Sequence, residues 1–198
     1  MEEWVNHKSI YVNHSGGCEG SDMYWETVGK KYGVFTISYS FSNHTQYGEN
    51  QLILTVDELY EGWKNVQTAS VRIHRPLSKI EFNPYIRNLL CRNWFQVKGG
   101  DSIFAIGSLV KSNHSLVNGG TGWAVQMGID NNKDIYLFEQ EMDMWVSYDY
   151  QQKKFLPIDY IPTLTKHFAG IGTRELKDNG RFAIQQVYRN TFKDNNNG

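Results

Sequence analysis

The alternation of apolar and polar positions in this chain predicts an α/β protein built from repeated strand–turn–helix units. The apolar run Ser9-Ile10-Tyr11-Val12 breaks at His14-Ser15-Gly16-Gly17-Cys18-Glu19-Gly20-Ser21-Asp22, and Met23, Trp25, Val28 and Tyr32 then recur at helical spacing. Gly33 suits the left-handed cap of that helix, and Val34 to Tyr39 (VFTISY) is β-branched and aromatic, as strands are. The polar stretch Ser42 to Asn50 reads as a surface loop, and Leu59, Gly62, Trp63 and Val66 predict a helix from near Asp57. A further helix follows Pro84 through Ile86, Leu89, Leu90, Trp94 and Val97, ending at Gly99-Gly100.

The continuous apolar run Ser102 to Ile106, closed by Gly107-Ser108, suits a strand buried on both faces of a parallel sheet. Asn118-Gly119-Gly120-Thr121-Gly122 opens a helix through Trp123, Val125, Gln126 and Ile129, and Ile135 to Phe138 is the next buried strand. Trp145 to Asp149, with Phe155 and Leu156, reads as an antiparallel hairpin at a sheet edge. Phe168-Ala169-Gly170-Ile171-Gly172-Thr173-Arg174 is a short strand entering a glycine turn, before a helix with Phe182, Ala183, Val187 and Phe192. Parallel neighbours need long crossovers, usually helices, so the expectation is a Rossmann-like, mainly parallel sheet with helices on both faces and an antiparallel edge addition. Length favours one domain over residues 1–198, with 193–198 (KDNNNG) a frayed tail.

Composition narrows the function classes. Twenty Lys and Arg balance 21 Asp and Glu, for a net charge of -1, so no overall field draws the protein to nucleic acid or an anionic membrane. Cys18 and Cys91 stand in no C-x-x-C or Cys/His spacing, which argues against a metal site or a disulfide framework and fits a reduced, cytoplasmic setting. The opening MEEWVNHKSI lacks the basic and apolar regions of a signal peptide, and no stretch reaches membrane-spanning length.

Three strand-to-helix junctions carry more glycine than connection requires, and ligands of open α/β sheets bind beyond the carboxyl ends of the strands. Glycine lets backbone approach a phosphate, and the following helix N-terminus supplies N–H donors and a favourable dipole. The candidate ligand-binding residues are therefore His14, Ser15, Gly16, Gly17, Gly20, Ser21 and Asp22 in the first turn, and Gly107 and Ser108 after the Ser102 strand. Gly119, Gly120, Thr121 and Gly122 with Gln126 form the second turn and its helix, and Gly172, Thr173 and Arg174 form the third. The serines and Thr121 offer hydroxyls to phosphate oxygens, Asp22 suits a ribose hydroxyl or a helix N-terminus, and Arg174 suits a bidentate phosphate contact or an ion pair with Glu175. Arg92 and Trp94 lie on the preceding helix within reach of the crevice, with Trp94 fitting the core. Glu139 and Glu141 follow the Ile135 strand on the edge where an acid or base would stand. Nucleophile-elbow, H-E-x-x-H and Walker motifs are absent from the sequence, leaving no catalytic assignment and no cofactor.

Taken together these turns resemble the SLOG superfamily, the Rossmann-like group that contains the DprA DNA-processing proteins and the LOG ("lonely guy") phosphoribohydrolases. Ser15-Gly16-Gly17-Cys18-Glu19-Gly20-Ser21-Asp22 is similar to the S-G-G-A-x-G-x-D turn of several branches. Support comes from Gly119-Gly120-Thr121-Gly122 and from Phe168 to Arg174, and the likeness leaves out Ser42 to Arg75 and Trp145 to Thr165. The G-x-G-[ST]-R strand that opens such domains stands here at the carboxyl end, as in a circular permutation. LOG enzymes carry a glutamate after P-G-G-x-G-T, where this chain has Gln126, an amide that cannot ionise. The resemblance thus implies binding rather than LOG-type hydrolysis: an ADP-ribose-like or cyclic nucleotide signal, held by a stand-alone member of phage or bacterial type that sequesters an antiviral immune signal. The alternative it leaves open is an enzyme cleaving an N-glycosidic or phosphate bond of a nucleotide. Pairing is common in the superfamily, so a homo-oligomer is a further expectation, whereas the near-neutral charge disfavours DprA-like DNA processing.

Overall fold

The structure is a computed structural model that describes residues 10–193 except Gln46 and Lys79, so residues 1–9 and, of the tail expected to fray, residues 194–198 lie outside the described residues. Strand β1 (Val12–Ser15) leads into α1 (Ser21–Lys31), β2 (Phe35–Ser40) and the short edge strand β3 (Gln51–Ile53). Helices α2 (Val56–Arg72) and α3 (Pro84–Gly99) follow, then β4 (Ser102–Gly107), the hairpin β5 (Leu109–Val110) and β6 (Asn113–Val117), and α4 (Thr121–Asp130). The chain closes with β7 (Asp134–Glu139), β8 (Met144–Asp149), β9 (Lys154–Pro157), β10 (His167–Gly172) and α5 (Asp178–Thr191).

The main sheet has the order β3-β2-β1-β10-β4-β7-β8-β9. Strands from β3 to β7 run parallel, and β8 and β9 add antiparallel. This is the expected α/β architecture with its antiparallel edge. Counted from β10 and leaving aside edge strand β3, the parallel strands follow β10, β1, β2, β4, β7 along a permuted chain. Their spatial order is then 3-2-1-4-5, that of a doubly wound sheet. The carboxyl-terminal strand therefore occupies the sheet centre, where Phe168 and Ala169 are fully buried.

Each face has its own core. Trp25 and Val28 of α1 pack with Ala183, Ile184, Val187 and Tyr188 of α5 against Phe104 and Phe168. On the other face Val66 and Ala69 of α2, Leu90 and Phe95 of α3, and Trp123 and Met127 of α4 cover Ile103, Ala105 and Leu137. The expected core tryptophans Trp25 and Trp94 are buried, and Trp63 packs partly buried at the margin.

Local chemistry accounts for the helix ends. Thr55 and Glu58 form a capping box at α2, and Asn83 accepts from the Ile86 N–H ahead of Pro84, the first residue of α3. Gly33 has φ +70°, the left-handed conformation expected after α1. Three features differ from the sequence reading. Strand β1 extends to Ser15 instead of ending at Val12, so His14 and Ser15 belong to the sheet and not to the turn. Strand β3 was not anticipated, because all three of its residues are exposed and carry no alternation. The β5–β6 hairpin was also missed, its Lys111 to Ser115 stretch being polar. Among the described residues no helix is long and apolar enough to cross a membrane.

Candidate functional site

The carboxyl ends of β1, β10, β4 and β7 surround a cavity of about 590 Å³. All three glycine turns reach it: Cys18 and Asp22 from the first, Asn118 to Thr121 from the second, Gly172 to Glu175 from the third. Gly107 and Ser108 line it below β4, Gln140 and Glu141 beyond β7, and Ile86, Leu89, Leu90, Arg92, Asn93 and Gln96 along α3. Of the residues expected to bind ligand, Asp22, Gly107, Ser108, Gly119, Gly120, Thr121, Gly172, Thr173 and Arg174 meet here.

His14, Ser15, Gly16, Gly17, Gly20, Ser21, Gly122 and Gln126 do not line the cavity. Successive strand residues face opposite sides of the sheet, and this disperses β1. His14 turns towards α3, where it bonds the Tyr39 hydroxyl (2.9 Å) and His167 (3.1 Å). Burial, reinforced by His167, lowers its pKa to about 4. Ser15 donates to the buried Glu26 carboxylate at 2.5 Å and accepts from the Gly17 N–H. Ser21 donates to the Thr173 carbonyl (2.7 Å), and the Gln126 amide donates to Asp130 (2.9 Å) one turn along its own helix.

The glycines of the first and third turns are needed for packing. A Cβ on Gly16 would fall 2.6 Å from the Arg92 guanidinium, and one on Gly20, at φ +95°, would fall 2.5 Å from the Arg174 carbonyl oxygen. A Cβ on Gly172 would meet the Ile106 carbonyl and Ser21. Asp22 is buried between the two turns, where the backbone of Cys18 and of Gly172 favours its charged form. Burial pushes that carboxyl up to about 6, against the pull of Arg92 and of this backbone.

The second turn is built differently. Nothing lies within 4 Å of where a Cβ on Gly119 or Gly120 would project, so both face open space; only Gly122 is packed, against the Val117 carbonyl. Arg75 braces this turn from behind, its two Nη atoms donating to the Gly119 (2.6 Å) and Val117 (2.8 Å) carbonyls. A trans peptide opposes its N–H to its C=O, so with the Gly119 carbonyl drawn towards Arg75 the Gly120 N–H points the other way.

The charges around the cavity are unevenly paired. Lys177 is bonded to Glu141 at 2.6 Å, but among the described residues Arg92 and Arg174 form no ion pair, and Arg174 does not take up the pairing with Glu175 that the sequence allowed. Arg174 is exposed on the third turn, whereas Arg92 is 4% exposed and donates to the Gly16 carbonyl, the Cys18 sulfur and Asn93. Burial, with the positive charge of both arginines, lowers the pKa of nearby His44 to about 4. His44 stacks on Phe41 and tilts against Tyr85, next to the cavity residue Ile86.

Of the two glutamates considered as acids, Glu139 is buried and accepts the N–H groups of Leu109 (3.1 Å) and Met142 (2.6 Å), a bracing role, and Glu141 is the partner of Lys177. Gln140, not anticipated, accepts the Lys177 N–H and donates to the Glu175 carbonyl, clamping the third turn to β7. Asn93, Gln96 and Arg75 are not among the sequence candidates, and Arg92, placed within reach of the crevice, lines it. The signal that could have found three of them is the polar set 92, 93 and 96 on α3, a second stripe beside the apolar one. A larger depression of about 820 Å³ between α1 and β2 holds none of the glycine turns apart from the helix-closing Gly33, and its buried carboxylate, Glu26, is already held by Ser15 and Ser38. No protein-family model matches the chain, and no curated protein or solved structure matches it.

Proposed function

We propose that the cavity binds a nucleotide-derived small molecule of the ADP-ribose-like or cyclic nucleotide class. The observation that carries this reading is the convergence on one cavity of three glycine turns and two arginines that form no ion pair among the described residues. Phosphoryl oxygens fit the open second turn, where Gly119 and Gly120 leave room for close approach and Thr121 adds a hydroxyl at a helix N-terminus. Arg174 supplies the fork that matches a phosphate. Ile86, Leu89 and Leu90 give an apolar wall for the face of a base or ribose. Membership of the SLOG superfamily, and the sequestering of an antiviral nucleotide signal, is the biological setting that this reading suggests.

Titration calorimetry with ADP-ribose and with a 5′-mononucleotide tests it. Saturable binding to the wild type and a loss of tenfold or more in Gly120→Val, at unchanged melting temperature, is the expected result. Equal affinity in both proteins would refute the assignment.

One observation favours a second reading, nucleotide hydrolysis: Asp22 lines the cavity with a carboxyl pushed up to about 6, the range where a general acid or base works. Chromatography after prolonged incubation separates the two, since hydrolysis gives a product that Asp22→Asn does not form.

A further inference from the structure

Two buried donors on α3 remain unmet. Among the described residues, five buried side-chain nitrogens lack a hydrogen-bond partner, and two of them, Arg92 Nε and Gln96 Nε2, belong to side chains that line the cavity. Residues four apart share a helix face, so the two side chains stand one above the other on the cavity side of α3. Gln96 is 1% exposed and Arg92 4%, so neither satisfies its N–H groups in bulk water. Leaving a buried donor unpaired costs stability, and such groups in a native protein call for a partner.

The partner's chemistry follows from what Arg92 already touches. Its end nitrogens donate to the Gly16 carbonyl, to Cys18 Sγ at 3.4 Å and to Asn93 Oδ1 at 3.3 Å, all of them neutral acceptors. The Asp22 carboxyl acts on Arg92 only from beyond ion-pair distance, so the free N–H groups still lack an acceptor; a water molecule could meet them, but an oxyanion meets them and adds a negative charge beside the guanidinium. Gly16, lying against the guanidinium, and Asn93 hold the fork in place beforehand.

We infer that Arg92 and Gln96 form a deep oxyanion subsite, which takes a phosphate group of the bound molecule at the α3 wall while Arg174 and the second turn act at the rim. This deepens the nucleotide reading of the same cavity and rests on it. Gln96 then fixes where the anion sits, and its unpaired amide is retained for binding and not for folding.

Inorganic phosphate and adenosine, titrated separately into wild type, Gln96→Leu, Arg92→Lys and Arg174→Ala, test the inference. Leucine matches glutamine in size and removes the unmet donors, so Gln96→Leu is expected to melt at the same or a higher temperature while binding phosphate about tenfold or more weakly. Adenosine, which has no anion, should bind Gln96→Leu as it binds the wild type. Arg92→Lys keeps the charge but loses the planar fork and should also weaken phosphate; if it fails to fold, Gln96→Leu carries the test alone. Unchanged phosphate affinity in Gln96→Leu with a loss in Arg174→Ala would overturn the deep subsite and leave the nucleotide reading standing. Unchanged affinity in both variants would overturn the two together.

Discussion

The first and second glycine turns look alike in sequence and are built for different purposes. In the first, Gly16 makes room for Arg92 and Gly20 for the backbone of the third turn, so the glycines hold protein against protein. In the second, Gly119 and Gly120 face empty space while Arg75 holds the Gly119 carbonyl. Glycine content alone therefore does not mark a ligand contact. What distinguishes the turns is what a side chain at each position would strike.

Substitution should expose this difference, most sharply at Gly20. Gly20→Ala places a Cβ against the Arg174 carbonyl in a backbone with φ +95°, and a loss of about 3 kcal/mol or more is expected in urea denaturation. A loss under about 1 kcal/mol would mean that the first and third turns are not bolted together as described.

The carboxyl buried between those turns gives a comparable effect through pH. Asp22 rises from its ordinary 3.8 to about 6 on folding, so the folded state binds the proton more tightly. Its contribution to stability is fully present below about pH 4 and is lost as pH rises through 6. Relative to wild type, Asp22→Asn should gain up to about 3 kcal/mol between pH 4 and 7. Parallel stability profiles for the two proteins would show that Asp22 is not buried as described. His14 acts with the opposite sign: its pKa is depressed to about 4, so its contribution is present above about pH 6.5 and lost as pH falls through 4.

Changes of stability in the second turn should be smallest. Gly120 already has helical φ and ψ, so Gly120→Ala should shift stability by less than about 1 kcal/mol, in the stabilising direction. Gly119→Ala should cost about 1–2 kcal/mol, because φ +65° strains any other residue even in open space. A collapse of either variant would show that this turn is packed rather than open.

The same contrast explains what the sequence disclosed. Strands, helices and all three turns were legible because their signals are local: apolar runs, the 3.6-residue period of α3, and glycine where the chain reverses. The residues that make a cavity of the turns were not, because their contacts are distant in sequence. Arg92 reaches Gly16 across 76 residues, Arg75 reaches Gly119 across 44, and Gln140 holds Lys177 across 37. His14 and Ser15 misled for the opposite reason. They adjoin the first turn in sequence, but β1 continues through them and its alternation sends both side chains away from the cavity.

Native mass spectrometry of the protein purified from cells, with chromatography of what denaturation releases, tests the central claim most directly. The account predicts one phosphorylated, nucleotide-derived molecule per chain, either retained through purification or regained from a nucleotide panel, and lost from Gly120→Val. A chain that stays at its bare mass after equilibration with that panel, or that carries a molecule without phosphate, would contradict it.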